Sequence, residues 1–90
     1  MAKSTHLYVL SCNNLLKIGV TNDIDKRIKS LQTGNPHKIE LLYLEERLNP
    51  TKAERFLHQY FSKYRLEGEW FEGITLHDIR VRLMLFFEQD

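Results

Sequence analysis

Residues 6–31 read HLYVLSCNNLLKIGVTNDIDKRIKSL, and this stretch decides the fold. Side chains over residues 6–11 alternate between two faces, and residues 15–21 read as a returning strand of the same period. Between them, Ser11-Cys12-Asn13-Asn14 has turn chemistry, because asparagine tolerates a positive φ and its side chain hydrogen-bonds its own backbone. The stretch therefore predicts an antiparallel β-hairpin.

An amphipathic helix is predicted directly after the hairpin. Asn22 suits the N-cap position, and Asp23 and Asp25 complement the helix dipole in the first turn. Apolar residues at i, i+4 and i+7 predict that one face of this helix is buried; they are Ile24, Ile28 and Leu31. Gly34 is expected to cap the C-terminal end, and the following Asn35-Pro36 cannot continue a helix.

The next elements predicted are a third strand over residues 38–48 and a long helix over about residues 50–64. Asn49-Pro50 opens this helix as an N-cap followed by proline at the first helical position. Its apolar stripe is broad and consists of Ala53, Phe56, Leu57, Tyr60, Phe61 and Tyr64. Residues 65–73 predict a loop that contains a short strand near Gly68-Glu69-Trp70-Phe71.

A last helix is predicted over about residues 75–88. Thr75, with Asp78 three residues later, resembles a capping box, and one face of the helix is again apolar: Leu76, Ile79, Leu83, Phe86 and Phe87. The order ββαβα, loop, α predicts a small α+β domain with an antiparallel three-stranded sheet flanked by helices. We expect a single domain over residues 1–90 with its core at residues 6–73.

The composition argues against several classes of protein. With 42% hydrophobic and 28% charged residues, the 90-residue chain is typical of one globular domain. Its apolar runs fall short of the roughly 18 residues that cross a bilayer, and its N-terminus lacks an apolar signal segment, so we expect neither membrane insertion nor secretion. The single cysteine, Cys12, cannot form an internal disulfide and has no partner at zinc-ligand spacing, which favours a reducing cytoplasm.

The net charge is +1, but its distribution is uneven. Residues 1–65 contain 11 Lys/Arg against 6 Asp/Glu, a balance of +5, and residues 66–90 contain 2 against 6, a balance of −4. A basic body suits a polyanionic partner such as DNA, because lysine and arginine on one face release counterions from phosphates. An ordinary solvated surface explains the same asymmetry, and the sequence favours neither explanation.

Four features carry a family resemblance, in a fixed order: Leu7-Tyr8-Val9, Lys17-Ile18-Gly19, Arg27 in the following helix, and Gly68-Glu69-Trp70-Phe71. On these features the chain resembles the GIY-YIG nuclease superfamily over residues 6–73. More narrowly, it is similar to a DNA-binding subgroup that was described from phage open reading frames and has Lys-Ile-Gly as its second motif. The resemblance implies a DNA endonuclease that hydrolyses a phosphodiester bond with a divalent metal ion.

The resemblance implies that Tyr8 is the general base. A phenol with an unperturbed pKa of about 10 is a poor base unless positive charge lowers that pKa, and Lys17 on the neighbouring strand is expected to supply the charge. Lys17 stands where the family usually has tyrosine. Without the resemblance, Tyr8 is a packing residue and Lys17 an exposed strand lysine. Gly19 is expected to allow close approach by another element or by substrate.

Arg27 matches the arginine of the family's first helix, which implies that its guanidinium clamps the scissile phosphate. Lys26 and Lys29 on the same helix are expected to contact flanking phosphates, or otherwise solvent. Arg65 is expected either to contact the nucleic-acid backbone or to cap the C-terminus of the preceding helix.

Glu54 matches the family's metal-binding glutamate. One carboxylate with waters and a phosphate oxygen suits Mg²⁺, which keeps much of its hydration shell, and Mn²⁺ is the alternative. Without the resemblance, Glu54 is a solvated helix residue. His58, one turn later on nearly the same face, is a candidate for the general acid or for a DNA contact.

Two departures from the family pattern leave the proton donor unassigned. The histidine that often follows the arginine by one turn is replaced by Leu31, and no asparagine occurs after Asn49. Trp70 is expected to close the core or to brace Glu54. Glu69 receives no role.

The sequence therefore favours a metal-dependent endonuclease acting on duplex or branched DNA. The first alternative is a catalytically silent DNA-binding module, which would explain the two departures. The second is a protein-interaction domain of a phage or plasmid system. A homodimer formed through the apolar end of the last helix is left open.

Overall fold

The computed structural model describes residues 3–86. Within them the chain forms β1 (His6–Cys12), β2 (Leu15–Thr21), α1 (Ile24–Gln32), β3 (Glu40–Glu46), α2 (Pro50–Tyr60), β4 (Trp70–Phe71) and α3 (Leu76–Met84). The strands pair antiparallel in the order β3-β1-β2-β4. The predicted α+β class is confirmed. The sheet has four strands rather than three, because the short β4 pairs with the edge of β2.

The β1–β2 hairpin is the centre of the sheet. Asn13 and Asn14 have φ values of 51° and 67°, and two successive left-handed residues form the kind of turn whose twist matches that of paired strands. The prediction placed Cys12 in the turn, and this is wrong: Cys12 is the last residue of β1 and pairs with Leu15. The asparagines alone supply the two residues that the turn requires.

Helix α1 begins one residue later than predicted. Asp23, not Asn22, is the N-cap, and its carboxylate accepts a hydrogen bond from the backbone N–H of Lys26 at 3.1 Å. The Thr21 hydroxyl accepts a bond from the Asp23 N–H, also at 3.1 Å, and this bond spans the bend at residue 22. Gly34, in the left-handed region with φ 78°, follows the end of the helix as predicted.

The sheet is the middle of three layers. On one face, Leu7, Val9 and Ile18 are fully buried against α2 and α3, whose buried residues include Ala53, Leu57, Ile79 and Leu83. On the other face, Tyr8 and Leu10 pack with Cys12 and Ile39 beneath α1. The apolar face of α1 is only half-buried, because no residue of this helix is buried. Each fully buried aliphatic side chain contributes roughly 1.5–3 kcal/mol.

Caps fix the starts of the other two helices. The Asn49 side chain accepts a hydrogen bond from the Lys52 N–H, and both bonds of the Thr75–Asp78 capping box form, so both predictions are confirmed. Helix α2 ends at Tyr60 and a 3₁₀ turn (Ser62–Tyr64) follows, so the predicted end at residue 64 is wrong. No helix within residues 3–86 is long and apolar enough to cross a membrane. Helix α3 ends at Met84, so the predicted end near residue 88 is wrong; Phe87 and Glu88 lie outside the described residues.

Tyr8 and Gly19 face each other across the β1–β2 pair, and the tyrosine ring lies directly over the glycine. A Cβ atom at Gly19 would lie 2.5 Å from Cζ of Tyr8 and closer still to its hydroxyl oxygen. Such an approach is well inside the sum of van der Waals radii, and the atoms it meets belong to a ring held in the core. Gly19 therefore serves the close approach of Tyr8, one of the uses predicted for it.

We predict that Gly19→Ala lowers the free energy of unfolding by about 1–3 kcal/mol, the usual cost of overpacking. Urea denaturation followed by the fluorescence of Trp70, the only tryptophan, measures it. In a Tyr8→Ala background the same change should cost much less, because the ring is gone. An equal loss of stability in both backgrounds would contradict this packing.

Candidate functional site

A group of ionisable side chains lies where α2 meets the outer edge of β2. Glu54 and His58 occupy successive turns of α2, and Glu69 directly precedes β4. One ring nitrogen of His58 and one carboxylate oxygen of each glutamate all lie within 4.8 Å of one another. All three side chains are half-buried. We call these residues the Glu54–His58–Glu69 cluster.

A gap in the sheet edge lets α2 reach this position. Strand β4 pairs with β2 only at Leu16 and Lys17, so no strand of residues 3–86 covers the edge from Ile18 onward. There Nε2 of His58 lies 2.9 Å from the carbonyl oxygen of Ile18, and the imidazole packs edge-on against Phe71 with ring centroids 5.0 Å apart. Because a carbonyl oxygen can only accept, Nε2 carries the proton, and the lone pair of the neutral ring is on Nδ1.

Glu54 is held in a position that disfavours its charge. Burial raises the pKa of its carboxyl, and the Glu69 carboxylate raises it further, while His58, Lys17 and Arg55 oppose the shift less strongly. Two carboxylates that share a half-buried site repel each other. A cation between them would relieve that repulsion, so carboxylate and imidazole donors at this spacing fit a divalent metal ion.

Lys17 is buried, with only 8% of its surface exposed, so it is not the exposed strand lysine of the simpler interpretation. Its Nζ lies 3.3 Å from Oε1 of Glu69 and 5.4 Å from the centroid of the Trp70 ring. Trp70 pairs with Lys17 across β2 and β4 and packs against the Tyr8 side of the core. Trp70 therefore closes the core and covers Lys17, and we find no contact that would make it a brace for Glu54 within residues 3–86.

Tyr8 shares this electrostatic environment from the other face of the sheet. Burial raises the pKa of its phenol, the Arg27 guanidinium lowers it, and the carboxylates of Glu69 and Glu54 raise it again. The sequence led us to expect that Lys17 would lower this pKa. Instead the ammonium of Lys17 is paired with Glu69, the opposing positive charge is that of Arg27, and burial outweighs it. The phenol therefore keeps its proton at neutral pH.

The structure thus brings together five of the residues singled out from the sequence: Tyr8, Lys17, Arg27, Glu54 and His58. The other three basic residues, Lys26, Lys29 and Arg65, are exposed. Lys26 lines a cleft of about 290 Å³ with Arg27 at the start of α1, and Lys29 lies one turn further along. Arg65 donates from Nε to the carbonyl oxygen of Gly68 at 2.9 Å, so it orders the loop that leads to Glu69.

Glu69 is the site residue that sequence reasoning missed. It follows Gly68 and precedes an aromatic strand, and this combination was the available signal. Glu69 reaches the site because residues 70–71 pair with β2, which lies about fifty positions earlier in the chain. Local patterns do not encode such a pairing, so the sequence alone could not place Glu69 beside Lys17.

The family model of the T5orf172 domain matches residues 5–84. The chain belongs to the T5orf172 family. No curated protein and no solved structure gives a significant match. The T5orf172 domain is a phage-associated, nuclease-like and DNA-binding type of domain, and membership points to nucleic acid as the partner.

Assignment to the GIY-YIG superfamily, expected from the sequence, is therefore wrong, because the family that matches is a different one. The resemblance rested on a few short features: a strand tyrosine, a strand glycine, a helix arginine and a helix glutamate. A hairpin followed by a capped helix can present such residues in more than one family. The T5orf172 match covers 80 positions, and Lys17 and Leu31 already departed from the other pattern.

We predict that Glu54→Gln stabilises the metal-free protein above about pH 4.5, the ordinary glutamate value. A raised pKa means that the folded state binds the proton more tightly than the unfolded state, so the wild type loses stability as pH rises from 4.5 through the raised value. Glutamine does not titrate, so its advantage should grow across that window and then become constant. Urea denaturation in EDTA at a series of pH values measures it.

Glu67→Gln is the matched control, because it removes one negative charge from an exposed glutamate close to Glu69 in the chain. A Glu54→Gln variant that is less stable than wild type at every pH would contradict the stored repulsion.

Proposed function

We propose that this T5orf172 domain is a metal-dependent endonuclease that hydrolyses a phosphodiester bond of DNA. The observation that supports this best is the convergence of the Glu54–His58–Glu69 cluster with Arg27 and Tyr8. Cleavage of a phosphodiester needs a cation for the developing charge, a group that takes a proton from water and a way to orient the phosphate. Each need has a candidate within this group.

The metal ion proposed from the sequence is Mg²⁺, with Mn²⁺ as the alternative, and Glu54 and Glu69 are the carboxylates that would hold it. When bound, such an ion supplies positive charge to a phosphate oxygen and lowers the pKa of a coordinated water. Lys17 keeps Glu69 turned toward the site through their ion pair. His58 offers one free nitrogen, Nδ1, because Nε2 is committed to Ile18, and this nitrogen serves either as a ligand or as a proton relay.

Arg27 is proposed to bind the scissile phosphate. Its guanidinium is exposed on α1 yet close enough to Tyr8 to oppose the rise in the phenol pKa. A planar guanidinium can hold a phosphate through two parallel hydrogen bonds. Lys26 and Lys29 extend the positive charge along the same helix, and Arg65 adds charge at the loop before β4. These residues are proposed to contact flanking phosphates of duplex or branched DNA.

Tyr8 is proposed as the general base. In the free protein its phenol is protonated at neutral pH, because burial and the two carboxylates raise its pKa. Positive charge delivered to the cluster would offset Glu54 and Glu69 and leave Arg27 as the neighbouring charge that acts on the phenol. Lys17 lies on the same face of the sheet as Tyr8, but its ammonium is paired with Glu69.

A second function is favoured by one observation, the ion pair between Lys17 and Glu69. An ammonium bound to a prospective metal ligand competes with a metal ion. If the ammonium prevails, the domain binds DNA without cleaving it, and neutralising Lys26, Lys29 and Arg65 would lower the salt dependence of binding. The third interpretation, a protein-interaction domain, has less support, because the T5orf172 domain is of a nuclease-like and DNA-binding type. The homodimer stays a prediction; Met84 and Leu85 at the end of α3 are exposed.

We predict that the purified protein nicks supercoiled plasmid in Mg²⁺ or Mn²⁺. Glu54→Ala should abolish nicking, and Arg27→Ala should slow it by about 100-fold, the usual effect of losing one charge-stabilising donor. Arg80→Ala, which removes an exposed arginine from α3, is the matched control. Salt-sensitive retardation of the DNA by wild-type protein without any nicking would establish the silent module instead, and nicking unchanged in Glu54→Ala would refute the metal assignment.

We also predict that nicking by the wild type accelerates about tenfold per pH unit between about pH 7 and pH 9. A base must be deprotonated, and below a raised pKa the phenolate fraction grows tenfold with each unit. Tyr8→Phe should nick slowly, and its nicking rate should lack the increase with pH that the phenol provides. Tyr43→Phe, on the outer strand β3, should keep that increase. Equal pH slopes in wild type and Tyr8→Phe would assign proton removal to another group.

A further inference from the structure

The donor atoms of the cluster carry an inference about which ion the site takes. We propose that Glu54, His58 and Glu69 form a three-ligand site in which Nδ1 of His58 binds the ion, and that the site prefers a divalent transition metal to Mg²⁺. The inference deepens the proposed function, and its meaning for catalysis rests on that function. Binding itself can be tested without any nucleic acid.

The hydrogen bond of His58 is the first support. Histidines that bind metals nearly always donate their other ring N–H to a carbonyl or carboxylate, which fixes the tautomer and the orientation of the ring. Here Nε2 is the donor and the carbonyl of Ile18 the acceptor, at 2.9 Å. Edge-on packing against Phe71 further limits rotation of the imidazole. Nδ1 is left with its lone pair and no competing donor role.

The placement of the two glutamates is the second support. Glu54 and His58 are four residues apart on α2, so they project from the same face of the helix. Glu69 approaches from the loop before β4, and one donor atom from each residue lies within 4.8 Å of the others. Zinc bonds to nitrogen and carboxylate oxygen measure about 2.0–2.2 Å, so small rotations of the flexible glutamates bring all three donors onto one ion. Three protein ligands leave further positions for water and a phosphate oxygen.

The chemistry of the donors gives the preference. Mg²⁺ favours oxygen ligands and dehydrates reluctantly, whereas an imidazole nitrogen suits later first-row metals. For a site of mixed oxygen and nitrogen donors, affinity is expected to rise from Mn²⁺ to Zn²⁺. Loss of the imidazole should therefore reduce the affinity for Zn²⁺ and leave the affinity for Mg²⁺ nearly unchanged.

Lys17 sets a limit on the affinity of the site. Its Nζ lies 3.3 Å from Oε1 of Glu69, so an incoming ion shares that carboxylate with an ammonium. Replacing Lys17 with methionine keeps most of the unbranched side chain and removes the competing ammonium. A purely structural ion-pair network predicts that Lys17→Met does not strengthen metal binding, because such a network gains nothing from a metal ion.

Isothermal titration calorimetry on the EDTA-stripped full chain tests the proposal with Zn²⁺ and Mg²⁺ as probes and no DNA. We expect Zn²⁺ to bind at least about tenfold more tightly than Mg²⁺. His58→Ala should weaken Zn²⁺ binding by about tenfold or more while changing Mg²⁺ binding by less than about twofold. Glu69→Gln should weaken Zn²⁺ binding, and Lys17→Met should strengthen it. His77→Ala and Glu67→Gln, on exposed residues, are the matched controls for surface binding.

Pulsed electron paramagnetic resonance of Mn²⁺ bound to the wild type gives a second readout that needs no variant. Coupling to one imidazole nitrogen is expected. Absence of nitrogen coupling, or Zn²⁺ binding that His77→Ala weakens as much as His58→Ala does, would overturn the proposal. Nitrogen coupling in a protein that never nicks plasmid would leave this site standing and remove the proposed nuclease. Nicking in Mg²⁺ by a protein that lacks nitrogen coupling would support the proposed nuclease and overturn the three-ligand site.

Discussion

Nε2 of His58 donates a hydrogen bond to the carbonyl of Ile18. A longer β4 would have paired with this part of the edge of β2. A sheet edge must satisfy its backbone groups, and here a helix side chain does so at the point where the strand ends. If β4 extended past its two residues, it would separate α2 from the edge of β2. The groups on α2 would then be cut off from Tyr8 and Arg27, which belong to the opposite face. The short fourth strand is thus the condition for a shared site.

The site that results is built at the expense of stability. Burial raises the pKa of the Glu54 carboxyl, and the nearby Glu69 carboxylate raises it further. Lys17 is 8% exposed, which is rare for a lysine unless it is paired. Neither arrangement helps the domain fold, because an apolar pair of similar size would pack there without desolvation of charge. Both place groups of opposite sign around a space that a phosphate and a cation could share. A compact domain that retains such a cluster is more readily explained by ligand binding than by packing.

Local signals in the sequence account for much of the fold. The paired asparagines, the Asn49-Pro50 start and the Thr75–Asp78 capping box each act within a few residues, and the structure has all three. The start of α1 was predicted wrongly because neighbouring side chains compete for the same backbone groups. Asn22 is a good N-cap by type, but the Thr21 hydroxyl bonds to the Asp23 N–H and moves the start of the helix.

The residues of the candidate site fall into two groups, those that the sequence singles out and those that depend on the pairing of distant strands. Tyr8, Arg27 and Glu54 could be singled out because a family resemblance supplied their context, although that family proved to be the wrong one. Their proximity is a property of the structure, but their roles are still predictions. Glu69 and the true partner of Lys17 depend on the β2–β4 pairing, which joins residues about fifty positions apart. The Tyr8 pKa is raised mainly because the ring is buried. The alternation of side chains along a strand does not reveal how completely α1 covers that ring.

The Lys17–Glu69 ion pair is the point at which cleavage and simple DNA binding diverge. In the free protein the ammonium gives Glu69 a partner and so limits its repulsion with Glu54. An approaching phosphodiester adds negative charge beside Arg27 and Lys17, and that charge can draw the ammonium away from Glu69. Glu69 would then be freed for a metal ion at the moment when substrate arrives. In that case metal ion and DNA bind cooperatively, because each relieves an interaction that opposes the other. If instead the ammonium stays with Glu69 when DNA is bound, the positive surface of α1 still holds the phosphates, and the carboxylates have no part in the reaction.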